Sequence, residues 1–356
     1  MKYKDTLLWK KLEGNISVKN QHAMESLCDA AITMLKTVRD TFPTYTLHDE
    51  VHVVNVIHAI ENLLGEEGIG KLTEGETELL LLAACYHDIG MCYSKQEKQS
   101  ELNSIRFKRY LEQHPSADVL MFENEGEIPA KIQVDFFRSI HHERIAKILK
   151  DSLDVSNVRR DRLIKVCQSH GENIERVKEI PYDNFNEIDY CFCAVLLRLG
   201  DILDFDVTRS PEILYEYQKI EDAQDRQSVI EWRKHQSSLG FRYPKQASRD
   251  ALAFRAVSNS MQTEHFIHMF LDYIDLELRN CSEVISNNCS DRWRNLALPI
   301  QIDRSGIESN GYRTGEYHLT MDSERVLELL VGNDLYTHSA VFIRELLQNS
   351  LDAIGT

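Results

Sequence analysis

The chain has 356 residues, enough for two domains or for one large domain with appendages, and no apolar run in it reaches the length needed to cross a membrane. Its 57 Asp and Glu against 41 Lys and Arg give a formal net charge of −16, which excludes a large non-specific nucleic-acid surface but leaves room for a local basic pocket. The opening Met1-Lys2-Tyr3-Lys4-Asp5 leads into a charged helix rather than a signal-peptide core, so a cytoplasmic location is expected, and the eight cysteines, scattered without CxxC pairs, read as reduced core residues.

From Val18 to about Arg39, apolar residues recur with helical spacing (Met24, Leu27, Cys28, Ala31, Leu35), and Pro43 ends that element. A second helix follows from His48-Asp49-Glu50-Val51-His52, with His48 and His52 one turn apart on the same face. The glycines and glutamates of 65–75 read as a loop. Thr77 to Tyr86 is a helix apolar on nearly every side, and it runs straight into His87-Asp88, so a carboxylate and an imidazole are expected deep in the core, where they need partners.

Ser94 to Gln99 is charged and solvated, Ile105 to Leu111 is helical, and 114–129 is expected to wander over the surface. Gln133 to Lys150 is a helix carrying Arg138, His141, His142 and Arg144. The helix of Arg160 to Ser169 ends in His170-Gly171, where the glycine suits a left-handed exit. Tyr190 to Leu203 is another strongly apolar helix and embeds Asp201. Ser228 to Val257 has the shorter alternation of a small β excursion, and Thr263 to Ile285 returns to helix.

A buried Asp beside a buried His is best satisfied by a metal ion, and His52, His141 or His142, His170 and Asp201 are the further candidate ligands. Mixed imidazole and carboxylate donors suit manganese, iron, cobalt or nickel better than magnesium alone. Arg138, Arg144, Arg209 and Lys234, with His235, are candidates for steering a phosphate, although structural ion pairs account for such residues as readily.

The order His52, His87-Asp88, Asp201 is the H…HD…D pattern of the HD-domain superfamily, which the chain resembles from Val18 to Ile285. The resemblance implies a mainly α helical bundle in which these four residues hold one divalent cation and Asp88 bridges to a second. In the dinuclear branch two further histidines lie between the HD pair and the last Asp, as His141 or His142 and His170 do here. His141 is the first choice of the pair because Arg138 stands three residues before it, as in the related proteins. His48-Asp49-Glu50-Val51-His52 also resembles the H-N-x-x-H start of cyclic-nucleotide phosphodiesterases, with Asp49 in place of Asn. That implies a catalytic His48, protonating the leaving oxygen, beside a catalytic Asp88.

Near the C-terminus, Arg344-Glu345-Leu346-Leu347-Gln348-Asn349-Ser350-Leu351-Asp352-Ala353 resembles the N-box of the GHKL ATPases, the group of gyrase, histidine kinases and heat-shock-90 chaperones. Glu345, Asn349 and Asp352 share one helix face and would bind ATP and magnesium, but the rest of such a module does not follow, so the chain is expected to be part of a longer protein. The expected organisation is an HD phosphohydrolase over 1–295 and the first elements of an α/β GHKL fold over 296–356, with Leu298 to Asp322 as its leading strand region. The expected activity is metal-dependent cleavage of a phosphoester in a nucleotide or cyclic nucleotide, under control of the ATPase. Such fusions resemble bacterial multidomain proteins, with antiviral defence as an implication. A single-strand nuclease and a non-catalytic nucleotide sensor are the alternatives; single-stranded nucleic acid and a second copy of the chain are the further partners considered, and no membrane is expected.

Overall fold

The computed structural model describes residues 2–115, 117, 127–152, 157–220, 226–243 and 251–313. The chain divides into two units at Tyr312/Arg313. All that follows concerns the first; Glu345, Asn349 and Asp352 lie outside the described residues.

The first unit is mainly helical. Helices α1 (Leu7–Glu13), α2 (Val18–Leu35), α3 (Glu50–Lys71), α4 (Glu74–Tyr86), α5 (Lys95–Leu102), α6 (Ile105–Gln113), α7 (Ala130–Ser152), α8 (Asn157–Gln168), α9 (Ile174–Lys178), α10 (Tyr190–Ile202), α11 (Glu212–Tyr217), α12 (Arg226–Ser237) and α13 (Met261–Asn288) are joined by a short hairpin of β1 (Tyr182–Asp183) with β2 (Ile188–Asp189) and by a three-stranded sheet. No described helix is long and apolar enough to cross a membrane. All eight cysteines are buried and unpaired.

Two helices form the axis. In α4 every residue from Leu79 to Tyr86 is buried, and in α10 so is every residue from Tyr190 to Gly200. Each is 13 residues long, about 20 Å at the helical rise. Their N-termini are tied together. Thr73 and Glu76 form a capping box at the start of α4, and the same Glu76 carboxylate accepts from the backbone N–H of Asp189, whose side chain caps α10 by accepting from Phe192 N. Trp293 Nε1 also donates to Glu76. Helices of equal length fastened at one end finish at the same level at the other, and that is where His87-Asp88 and Asp201 stand.

Three glycines let other elements reach that end. A Cβ on Gly200 would lie 3.0 Å from the Val56 carbonyl oxygen, so its absence lets α3 pack backbone to backbone on α10. A Cβ on Gly90 would lie 1.9 Å from the carbonyl oxygen of His141, so α7 sits against the turn that follows His87-Asp88. Arg144 holds that contact: it is buried and donates to the carbonyls of Gly90 and Cys92 (the latter at 3.0 Å) and to Glu97 at 3.0 Å, with its guanidinium over the Tyr93 ring. Gly171 has negative φ, not the left-handed exit expected of it; it ends a 3₁₀ turn, Ser169–Gly171, and lacks a side chain because the His142 ring lies 2.8 Å from where its Cβ would be.

The loop expected at 65–75 is mostly helix. Gly65 takes φ 64°, which breaks the axis of α3, but the helix resumes and buries Gly68 and Ile69 before ending at Lys71. The expected β excursion begins as helix α12, which carries Trp232; strand β3 (Ser238–Arg242) then pairs antiparallel with β4 (Ala251–Ser258). On β4, Leu252, Phe254, Ala256 and Ser258 face the core, the period-2 pattern of a strand with one buried face. Strand β5 (Gln301–Ser309) lies parallel to β4, so part of the tract expected to lead a second module completes this sheet. β5 and the residues after it are fastened to α13: Arg304 pairs with Asp272 and Asp275, and Ser309 and Tyr312 donate to buried Glu264.

Substituting Gly90 by alanine drives a methyl group into the α7 backbone. A loss of about 3 kcal/mol in chemical denaturation is expected, the upper range for an overpacked core; an unchanged unfolding midpoint would show that α7 can withdraw without cost.

Candidate metal centre

Asp49 caps α3 by accepting from Val51 N at 2.9 Å and so sets His52 in the first turn, pointing into the bundle. His87 and Asp88 follow the last residue of α4, His141 lies on α7, His170 in the 3₁₀ turn after α8, and Asp201 in the last turn of α10. His52, His87 and Asp88 are 1 %, 0 % and 5 % exposed, so these polar groups have lost nearly all contact with water.

Their ligand atoms converge. His52 Nε2 and His87 Nε2 are 3.1 Å apart, and each is 3.3 Å from Asp88 Oδ2. Asp201 Oδ1 lies 3.5 Å from the first and 3.6 Å from the second. On the other side of the same carboxylate, Asp88 Oδ1 is 3.9 Å from His141 Nε2 and 3.7 Å from His170 Nε2, which are 2.9 Å from one another. Two triads, His52–His87–Asp88 and Asp88–His141–His170, therefore share one aspartate.

The ring tautomers follow from what the other nitrogens touch. His52 Nδ1 donates to Asp204 Oδ2 at 2.6 Å, His87 Nδ1 to Ala84 O at 3.0 Å, His141 Nδ1 to Arg138 O at 2.6 Å and His170 Nδ1 to Cys167 O at 2.5 Å. Each Nδ1 keeps its proton in these bonds, so in the neutral rings each Nε2 presents a lone pair to its neighbour. Lone pairs facing each other at 3.1 and 2.9 Å repel unless a positive charge lies between them. Donor atoms bonded to one first-row cation at about 2.0–2.2 Å stand roughly 2.8–3.6 Å apart, the spacing of the first group; the second is slightly wider. The residues fit divalent cations at both positions.

Without a cation, protons on His52 and His87 meet the same demand. Burial alone would raise the Asp88 carboxyl, but His87, with hydrogen bonds from His52 and His87, holds it well below the usual carboxylate range. Burial and Arg209 disfavour a proton on His52, yet its bonds to Asp204 and Asp88 raise its pKa above the ordinary imidazole value; His87 is raised further, against burial, by Asp88 and Asp201. His141 is lowered by burial, and His170 is brought down to about 3 by burial with His141 and His87 beside it.

Not every expected residue joins this cluster. His142 packs its ring on Gly171 and lies outside both triads, so of the pair it is His141 that faces Asp88. Arg144 is spent on the Gly90 turn, and Lys234 is buried, paired with Glu231 at 2.9 Å and set 4.6 Å from the centre of the Phe270 ring; neither steers a phosphate. Arg209 reaches the cleft but donates to Leu47 O and to His48 Nε2, the latter at 2.9 Å. His48 stands 4.0 Å from Asp88 Oδ2 with Nδ1 bonded to Thr46 O, and burial and Arg209 hold its pKa well below the ordinary value. It is a neutral imidazole whose free nitrogen is already accepting, the wrong state for the proton donor expected at that position. Arg138 is exposed on the cleft wall beside Tyr45, with no ion-pair partner among the described residues.

Other residues of the site carry no motif. Asp204 orients His52 and also accepts from Asn55 Nδ2 at 2.8 Å. Arg198, one turn before Asp201 on α10, donates to the carbonyls of Ser169 and Glu172, bracketing His170, and to Glu277 on α13. The sequence hint was a charged residue inside an apolar helix, one turn from a candidate ligand.

A helical bundle that gathers four imidazoles around one aspartate, with a second aspartate alongside, defines an HD-type domain with buried His/Asp groups able to hold a divalent metal ion. The HD-CE family model matches residues 42–280, and the chain belongs to that family. No curated protein and no solved structure matches the chain.

Asp204→Ala and Arg198→Met are each expected to weaken cation binding about 10–100-fold, as loss of ligand-orienting groups does, the first at the His52–His87 position and the second at His141–His170. Titration calorimetry with elemental analysis separates them: one of two cations should be lost in each, and loss of both together would show that the positions are not distinct. Protons compete with a cation for Nε2, and the raised pKa values of His52 and His87 carry that competition above pH 6.5, whereas the lowered values of His141 and His170 confine it to more acid solution. Acidification from pH 8 should therefore displace the cation at His52–His87 first, with protons taken up; simultaneous loss would contradict the assignment.

Proposed function

We propose that the protein is a dinuclear metal-dependent phosphohydrolase that cleaves a phosphoester bond of a nucleotide or cyclic nucleotide. The observation that carries this reading is the Asp88 carboxylate, with one oxygen turned to His52 and His87 and the other to His141 and His170. His52, His87, Asp88 and Asp201 would hold one divalent cation, and Asp88, His141 and His170 a second. Bound there, the cations would supply Lewis-acid polarisation of a phosphoryl group and acidification of water, with manganese, iron, cobalt or nickel favoured by the donor set.

The chain's own residues do the rest. A cleft of about 320 Å³ reaches Asp88, His141, His170 and Asp201. Arg138 on its wall binds a phosphate oxygen, since its guanidinium is not otherwise paired among the described residues. Neutral His48, close to Asp88, would accept a proton from the attacking water rather than donate one to the leaving group, but only once Arg209 turns to the substrate and frees its Nε2. Its hydrogen bond from Arg209 holds the ring in place. A C-terminal nucleotide-binding module that controls this activity remains part of the proposal, on the strength of the Glu345–Asn349–Asp352 spacing alone.

The test is hydrolysis of nucleoside triphosphates, cyclic nucleotides, cyclic dinucleotides and single-stranded oligonucleotides side by side, with each cation. Asp88→Ala should abolish turnover, and His48→Ala should lower kcat about 10²–10⁴-fold. At saturating metal, activity that depends on neutral His48 falls only when the solution becomes more acid than its depressed pKa, so the rate should stay level through pH 6.5. A rate that instead falls as pH rises past 6.5 would restore His48 as the acid. Preference for oligonucleotides would favour the nuclease alternative, and cation binding without turnover of any substrate the sensor alternative.

A further inference from the structure

The face of α13 that lines the cleft carries Phe270, Tyr273 and Glu277, at i, i+3 and i+7 and so along one stripe of the helix. Two aromatic rings followed by a carboxylate are not what a metal centre requires. Glu277 is 6 % exposed, and Arg198 Nε and Nη2 both donate to its Oε1, at 3.1 and 2.7 Å. Its Oε2 has no hydrogen-bond partner among the described residues. A nearly buried carboxylate with one oxygen clamped and the other open to a cleft is an acceptor that a ligand in that cleft can reach. The clamp fixes its direction as well, because the Arg198 guanidinium is itself held by the carbonyls of Ser169 and Glu172.

An open carboxylate oxygen on this wall suits groups bearing N–H or O–H. Phe270 is braced from behind by the Phe205 ring, edge-on at 4.7 Å, while Tyr273 remains half exposed at the mouth. The unpaired guanidinium, Arg138, sits instead on α7, three residues before His141. The cleft wall thus offers Arg138 on α7 and, on another element, the two rings and the open carboxylate oxygen of α13. The cleft volume of about 320 Å³ is at the small end of ligand pockets and accommodates one nucleotide-sized molecule rather than a strand.

We propose that the α13 face is the subsite for the nucleoside part of the substrate, with Phe270 and Tyr273 in contact with the base and Glu277 Oε2 accepting from sugar hydroxyls or base N–H groups. The inference rests on the phosphohydrolase reading for the placement of the phosphate. It assigns three specificity residues that the metal centre does not use.

Calorimetry on the metal-loaded protein tests it with three probes: the nucleoside monophosphates, p-nitrophenyl phosphate and inorganic phosphate. At least one nucleoside monophosphate should bind ten times or more tightly than p-nitrophenyl phosphate. Glu277→Gln keeps an acceptor for Arg198 but changes the open oxygen, and Tyr273→Ala removes a ring. Each should weaken that nucleotide about tenfold, the size of one charged hydrogen bond or one base contact, while inorganic phosphate binds the variants as it binds the parent. KM for the nucleotide should rise by the same factor. Equal binding of nucleotide and p-nitrophenyl phosphate, or an equal loss for nucleotide and inorganic phosphate in the variants, overturns the subsite. So does loss of a cation in Glu277→Gln, which would place Glu277 behind His170 instead of in front of substrate. Nucleotide preference without turnover would leave the subsite standing and sink the hydrolase reading; turnover of bis(p-nitrophenyl) phosphate without nucleotide preference would do the reverse.

Discussion

The rest of the structure depends on one electrostatic constraint: imidazole nitrogens held face to face, His52 against His87 and His141 against His170, with Asp88 between the pairs. Every Nδ1 in the set donates its N–H to a carbonyl or carboxylate, so in the neutral rings the facing nitrogens cannot relieve one another by exchanging hydrogen bonds. Carboxylates at 3.3–3.6 Å compensate only if positive charge resides at the centre. Left without it, the bundle would hold buried dipoles and charges in opposition, which costs several kcal/mol in a dry interior. Protons on His52 and His87 or divalent cations are the two ways of meeting that demand, and they compete for the same atoms.

The helices are built to keep those atoms from drifting apart. Tying α4 to α10 through Glu76 and Asp189 sets the level at which His87, Asp88 and Asp201 emerge, some 20 Å away along the helices. Glycines at 90, 171 and 200 remove the methyl groups that would otherwise hold α7, His142 and α3 off the axis. Two buried arginines then lock the irregular pieces. Arg144 fixes the turn after Asp88, and Arg198 fixes the turn bearing His170. In both, the guanidinium donates to two carbonyls of an irregular turn at once, a task its planar array of donors suits better than a lysine would.

Much of this was legible in the sequence, and the parts that were not share a cause. The long apolar runs ending in His87-Asp88 and Asp201 announce buried helices, and the motif spacing picks out the residues that converge. Asp204, Asn55, Arg198 and Glu277 escaped notice because their roles exist only through partners 26 to 152 residues away. Arg138 and Arg144 show the limit well. Each is three residues from His141, so spacing ranks them alike, yet they flank it on opposite sides: one looks into the cleft and the other into the Gly90 turn. Composition misled at 65–75, where glycines suggest a loop but Gly68 and Ile69 are buried and the helix is carried on by packing. It misled again at Gln301–Ser309, since nothing in a strand's alternation says which sheet it will join.

The two candidate cation positions are not equivalent, and the difference bears on how a substrate would meet them. His52 and His87 are wholly enclosed and take no part in the cleft wall, whereas His141, His170 and Asp201 line it together with Asp88. Closed positions, with protein donors on most sides, fix structure and charge; open ones leave room for an external ligand. A cation at the His52–His87 position would therefore act on a bound molecule through the Asp88 carboxylate and through Asp201, while one at the His141–His170 position would face it directly. Arg138 reinforces the outer position, because it stands on the same helix as His141 and its carbonyl orients that ring. A single helix, α7, thus couples the direction of the His141 imidazole to the placement of the Arg138 guanidinium, and any shift of α7 at the Gly90 contact would move both at once.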